Sequence, residues 1–144
     1  RAVLGSRGLG DVYKRQLLEC PMEADAAAQA VGSFLHSSVS LPTALLCANE
    51  DSAIGTLRAL REGGLSVPGQ MSVISFNDTP RSALVEPPLT SVSTHVEEMA
   101  RTSLRLLAER AALPGKEPIR TLPLKVVVPP SLTVRESSGP APSQ

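Results

Sequence analysis

Tryptophan is absent from this 144-residue chain, and its only aromatics are one tyrosine and two phenylalanines. A core must therefore be built from Leu, Val, Ile and Ala, the usual filling where helices pack closely on parallel strands. Cysteine is almost as scarce. Cys20 and Cys47 show no C-x-x-C or other metal-ligand spacing, so no metal site is indicated and both read as reduced thiols, Cys47 buried in a strand. Neither sign of charge is in excess: 14 basic and 14 acidic side chains give a formal net charge of zero. No polycationic surface is available to neutralise phosphates, and the chain by itself is not expected to hold DNA. No apolar run approaches the ~20 residues a membrane helix needs, and there is no secretory apolar segment. A convergent catalytic set is missing too. Glu50-Asp51 and Glu97-Glu98 are adjacent pairs, and neighbours on a helix do not face one another. His36 and His95 accompany no Ser or Cys nucleophile at a recognisable elbow and read as surface histidines. Enzymatic activity and a cofactor are not expected.

The most informative positive feature is a pair of strands that end on polar residues. Val67-Pro68-Gly69-Gln70 is a proline-fixed turn that feeds an apolar strand over Met71 to Phe76, and this strand ends on Asn77-Asp78. Upstream, Thr43 to Ala48 is a near-continuous apolar run, as for a parallel strand buried on both faces, and it stops at Asn49-Glu50-Asp51. Ala53, Ile54, Leu57 and Leu60 then recur at helical spacing. Acidic residues occupy the first turn, where the dipole favours them, and Gly63-Gly64 supplies a left-handed stop. The unit is strand, polar end, helix, turn, strand, which is an α/β unit. In open sheets of this class ligands bind outside the carboxyl ends of the strands, because loops there can aim side chains without disturbing the core. Asn49 has two readings. It is either an N-cap worth roughly 1 kcal/mol or, at a strand end of the kind where ligands bind, a ligand contact. Asn77 has the same choice between turn former and ligand contact. Asp78 reads mainly as a tie for the turn that follows.

The rest of the chain fits the same class. Pro21 suits the first turn of a helix whose buried face carries Ala27, Ala30, Val31 and Phe34. Thr94-His95-Val96-Glu97 fits a capping box, followed by an apolar stripe of Val96, Met99, Ala100, Ser103, Leu107 and Ala111 that stops before Pro114-Gly115. Lys125 to Val128 and Leu132 to Arg135 read as strands broken by Pro129-Pro130. Ser137 to Gln144 reads as a Pro/Ser-rich tail expected to be disordered, with the domain ending at 138 and the tail proper at 139–144. Residues 1–16 read as a segment that is not native to the fold. Gly5-Ser6-Arg7-Gly8-Leu9-Gly10 fails as a phosphate loop for lack of a preceding strand and a following amphipathic helix. Ser6 to Gln16 resembles translated sequencing-adapter read-through, to be set aside as a fusion scar would be.

Asn49-Glu50-Asp51-Ser52-Ala53-Ile54-Gly55, then Gly64-Leu65-Ser66-Val67-Pro68, then Ser72-Val73-Ile74-Ser75-Phe76-Asn77-Asp78, then Pro87-Pro88-Leu89-Thr90, and then Leu132-Thr133-Val134-Arg135 stand in an order that resembles the LacI/GalR family of bacterial transcriptional repressors. Ser75 to Pro80 is similar in particular to the branch containing the evolved β-galactosidase repressor. The resemblance spans 17–138 and implies the C-terminal part of an effector-binding domain, a periplasmic-binding-protein-like doubly wound parallel sheet. It implies a small carbohydrate effector, a galactoside among the candidates, held at Asn49, Asn77, Phe76 and Asp78. Most family members carry Asp where Asn77 stands, and an amide cannot offer two charged acceptors to vicinal hydroxyls, so effector preference is expected to differ. It further implies a cytoplasmic homodimer with Ile54, Leu84 and Val85 at the two-fold contact, and operator DNA held only by a helix-turn-helix headpiece upstream of Leu17. Two subdomain crossings are implied, near Leu89 to Ser91 and near Val128 to Ser131, with most of the second subdomain expected upstream of Leu17, so that the long helix is short of packing partners. A periplasmic sugar-binding protein shares this architecture and is the alternative. An enzyme of the doubly wound class ranks third.

Overall fold

The computed structural model describes residues 17–38, 41–111 and 124–141. Its elements run α1 (Ala24–Ser37), β1 (Ala44–Leu46), α2 (Glu50–Glu62), β2 (Ser72–Phe76), a 3-10 turn (Pro80–Ala83), β3 (Thr90–Ser93), α3 (Val96–Ala111) and β4 (Ser131–Thr133). The four strands form one sheet in the order β1-β2-β3-β4. The first three are parallel, and β4 returns antiparallel to β3. Residues 1–16 and 142–144 lie outside the described residues, and with them the expectation of a non-native start and the last part of the expected tail.

One face of the sheet carries the core. Leu45 and Val73 are register partners, and both turn towards Ala28 and Val31 of α1 and Ala53, Leu57 and Leu60 of α2. Leu60, Val73 and Leu89 have no exposed surface. With so few aromatics these aliphatic side chains fill the core by close approach of backbone, and Gly55 sets that approach. A Cβ at Gly55 would stand 2.0 Å from the Ala24 carbonyl oxygen, so only hydrogen fits where α2 crosses the start of α1. Gly64, at φ 73, supplies the left-handed stop expected after α2.

Several expectations are corrected. Pro21 lies ahead of α1, which starts at Ala24 behind Glu23. On the buried face of α1 stand Ala27, Ala28, Val31 and Phe34, while Ala30 is half-buried. β1 is not buried on both faces: it is a three-residue edge strand whose Leu46 is 69% exposed, because α1 and α2 cover only the opposite face. Lys125 to Val128 forms no strand. α3 begins one residue too late for a Thr94 capping box, behind His95 at φ 50. It buries no residue at all, leaving Val96, Met99, Leu104 and Leu107 exposed.

Ser137 is corrected as well. It is fully buried rather than part of a loose tail. Its hydroxyl donates to the Val73 carbonyl (2.6 Å) and accepts from the Thr90 N–H (2.8 Å). Its backbone N–H donates to Pro88 O and its carbonyl accepts from Val73 N. Polar termini of β2 and β3 that would otherwise be buried without partners are satisfied by this segment.

The two helical glycines give a test of opposite signs. Gly55→Ala should lower stability by about 2 kcal/mol or more, because two backbones must separate to admit the methyl. Gly32→Ala, in α1 with nothing within 4 Å of the added Cβ, should raise it by about 0.5–1 kcal/mol from helix propensity alone. Urea denaturation of the two variants reads both, and equal shifts would show that Gly55 is not the close-approach point.

Candidate functional site

β1 and β2 deliver two amide side chains to the same end of the sheet. Leu46 is in register with Ile74 and the Cys47 N–H donates to Ile74 O at 2.8 Å. Asn49 and Asn77 each follow three residues after those partners. Parallel pairing therefore brings both polar ends to one carboxyl edge, where a sheet of this class keeps its crevice.

The two asparagines are in different states. Asn49 is the N-cap of α2, with Oδ1 accepting from the Ser52 N–H at 2.9 Å and Nδ2 donating to Met22 O at 3.1 Å. Capping is realised, and among the described residues one amide proton and one lone pair have no partner. Asn77 lies directly after β2 at φ 90, with its side chain exposed and its backbone N–H donating to Val92 O at 2.9 Å. Asp78 follows at φ 49. Two successive non-glycine residues at positive φ hold the chain in a costly conformation, and such strain gathers at ligand contacts. Phe76 closes β2 half-buried.

Asp78 is engaged on both oxygens. Arg135 donates to Oδ1 at 2.7 Å and Thr133 Oγ1 donates to Oδ2 at 2.7 Å, while the Asp78 N–H donates to Ser91 Oγ at 3.1 Å. Arg135 also donates to the Leu89 carbonyl at 2.6 Å. The carboxylate ties the β2 exit to β4, the role of a turn anchor.

Sequence reasoning missed a second set of contacts. Glu50, only 5% exposed, accepts from Thr79 Oγ1 at 2.5 Å and, at shorter range, from Ser82 Oγ. Beside it Arg81 pairs with Asp51 at 2.9 Å. These partners are about 30 positions apart, so no local spacing announced them. The only available signal was the run of hydroxyl and basic residues around Pro80.

Of the proposed contact residues, Leu84 is 82% exposed, whereas Ile54 and Val85 are half-buried against the core. Cys47 is buried beside the Thr56 hydroxyl at 3.4 Å. Burial pushes its thiol above the ordinary value, the Thr56 contact partly opposing this and nearby Cys20 adding to it, so this thiol is a poor nucleophile. Among the described residues no group of three or more His, Cys, Asp or Glu is placed to hold a metal ion. No helix described is long and apolar enough to cross a membrane. An open apolar depression of about 440 Å3 lies between α3 and residues 124–128. It is lined by Met99, Leu106 and Val126 among others, and it includes neither asparagine.

If Asp78 is the anchor of this turn, Asp78→Ala should lower stability by about 1–3 kcal/mol, since Arg135 and Thr133 lose a largely buried acceptor. Chemical denaturation measures this, and a loss below about 0.5 kcal/mol, the range of neutral surface changes, would mean the carboxylate anchors nothing.

Comparison with known proteins agrees with this fold. The family model for a periplasmic binding protein-like domain matches residues 7–138. The HTH-type transcriptional regulator GalR of Streptococcus thermophilus is 44% identical over 89 residues, covering 62% of this chain and 27% of that protein. The lactose operon repressor of Rhizobium radiobacter is 39% identical over 88 residues, covering 60% of this chain and 76% of that protein. Against GalR, then, the chain spans about a quarter of the relative's length. Among solved structures, a LacI family regulator from Enterococcus faecalis with bound ribose superposes with a TM-score of 0.72 at 28% identity, over 88% of this chain and 43% of that one. One from Arthrobacter in complex with lactose gives 0.69 at 28% identity, over 83% and 43%. The alternation of parallel strands and helices, the polar strand ends and these matches lead to one assignment: the chain belongs to the LacI/GalR family of transcriptional regulators, within its periplasmic-binding-protein-like domain.

Proposed function

We propose that this chain is the C-terminal part of the effector-binding domain of a sugar-responsive regulator, and that Asn49 and Asn77 contact the sugar. The observation that carries this reading is Asn77: a strained residue at the carboxyl end of β2, its amide exposed, on the same sheet edge as Asn49. Phe76 and Asp78 serve the site by holding it, Phe76 as the last residue of the strand and Asp78 through Arg135 and Thr133. Hydroxyl-rich ligands suit paired amides, which donate and accept at once. The ribose and lactose held by the two neighbours support a small carbohydrate, a galactoside included. The relatives are regulators rather than enzymes, and a non-enzymatic, cytoplasmic role follows that reading.

Operator DNA would be held by a headpiece N-terminal to the residues described, a reading supported by the absence of any basic excess in this chain, whose 14 basic and 14 acidic side chains balance. Effector binding then alters operator fit through a change of subdomain and subunit geometry. The second partner is another copy of the chain, meeting Ile54, Leu84 and Val85.

Two outcomes are expected in the full-length protein. Asn49→Ala and Asn77→Ala should each weaken sugar binding by about 1–3 kcal/mol through the lost hydrogen-bond partner. Calorimetry that returned wild-type affinity for both variants would remove these residues from the site. Ile54→Glu should turn a dimer into a monomer at micromolar concentration in sedimentation velocity. Leu84→Glu, at a position with almost no burial to lose, should do the same without loss of fold. Dimers persisting in both would place the interface elsewhere.

A further inference from the structure

We infer that Glu50 is the positioning residue of the sugar site, the group that sets the Asn49–Asn77 arrangement by holding the 77–82 loop on the first turn of α2. This rests on the reading of Asn49 and Asn77 as sugar contacts. Glu50 is buried, and among the described residues its carboxylate pairs with no cation: its partners there are the hydroxyls of Thr79 and Ser82. It sits at the start of α2, where the free N–H groups and the dipole favour an acidic side chain. A buried carboxylate bonded to hydroxyls on both oxygens loses much if either is released, so the loop has little freedom to leave.

The chain order makes this tether local to both amides. Asn49 immediately precedes Glu50, and Asn77 is two residues ahead of Thr79. The outer Arg81–Asp51 pair repeats the connection, from the residue after Glu50 to one that lies between Thr79 and Ser82. It is exposed on both sides, so the buried Glu50 contacts carry the larger share. Asn77 and Asp78, both at positive φ, are thus held from two directions, by Arg135 and Thr133 at Asp78 and by Glu50 at Thr79. A turn strained in this way keeps its shape only while its surroundings determine it.

The test uses Glu50→Gln, Ser82→Ala and their combination in the full-length protein, with Asn49→Ala and Asn77→Ala as references. Amide hydrogen exchange should rise at least tenfold in Glu50→Gln at Ser82, Leu84 and Leu89, whose N–H groups close the 79–89 loop. Dissociation constants for lactose and ribose should rise at least fivefold for whichever of these sugars the wild type binds. Ser82→Ala should act in the same direction, and the double variant should be no worse than the weaker-binding single one, because the contact that Ser82→Ala removes is one of the two that Glu50→Gln already weakens. A purely structural role would lower the melting temperature and leave exchange in the loop and sugar affinity at wild-type values relative to global stability. That result, or unchanged loop exchange in both single variants, overturns the inference. If the asparagine variants weaken binding and the Glu50 and Ser82 variants do not, the tether alone is wrong. If sugar affinity ignores all four residues, or neither sugar binds the wild type, the site reading fails, and the exchange result still decides whether Glu50 holds the loop.

Discussion

The buried hydrogen bonds that join residues 88–90 to residues 135–138 hold together everything else described. Thr90, 1% exposed, accepts the Arg135 N–H at 2.9 Å, donates to the Arg135 carbonyl and contacts the Ser138 hydroxyl at 2.7 Å. Ser137 supplies the bonds to Val73, Pro88 and Thr90 already given. Two segments more than 40 positions apart therefore satisfy each other's backbone at the base of β2 and β3. A partly broken network of this kind would bury unpaired polar groups, so it forms as a unit or not at all. Arg135 then extends the network to Asp78 and so to the turn that presents Asn77.

From that base the sheet is clad unevenly. α1 and α2 cover one face, locked by the Gly55 approach, and the other face keeps Leu46 and Leu132 largely exposed. α3, whose stripe is apolar, buries none of its residues and meets residues 124–128 only across an open depression. The polar carboxyl edge is better determined than either of these surfaces. Its turn is tied to β4 by the Thr133 hydroxyl, to the segment after β4 by the Arg135 charged pair, and to α2 by hydroxyl contacts on Glu50. Precision where the ligand would sit, beside unpartnered apolar surface elsewhere, is the arrangement expected of a site whose energy is concentrated in a few directional bonds.

Much of this was legible in the residues. The helical period through Ala53, Leu57 and Leu60, the left-handed Gly64 and the Asn49 cap each rest on a local rule, and local rules survive folding. The carboxyl-edge placement of Asn49 and Asn77 followed from two parallel strands ending on polar residues. β1 was misjudged because composition reports apolarity and not whether a partner covers it. Ser137 was misjudged because a Pro/Ser-rich stretch carries no mark of the strands it will stitch. The Glu50 contacts were invisible for a different reason. A carboxylate at a helix start reads as a dipole preference, and its hydroxyl partners lie beyond any window of local pattern.

The central claim is that the β1 and β2 ends form one sugar-binding edge. Nuclear magnetic resonance of the full-length protein, isotopically labelled and titrated with lactose and with ribose, tests it most directly. The account predicts that the side-chain amide resonances of Asn49 and Asn77 shift together, saturating with one sugar affinity, along with the backbone resonances of 76–82. Saturable shifts confined to other residues, with both asparagine side chains unmoved, would contradict it.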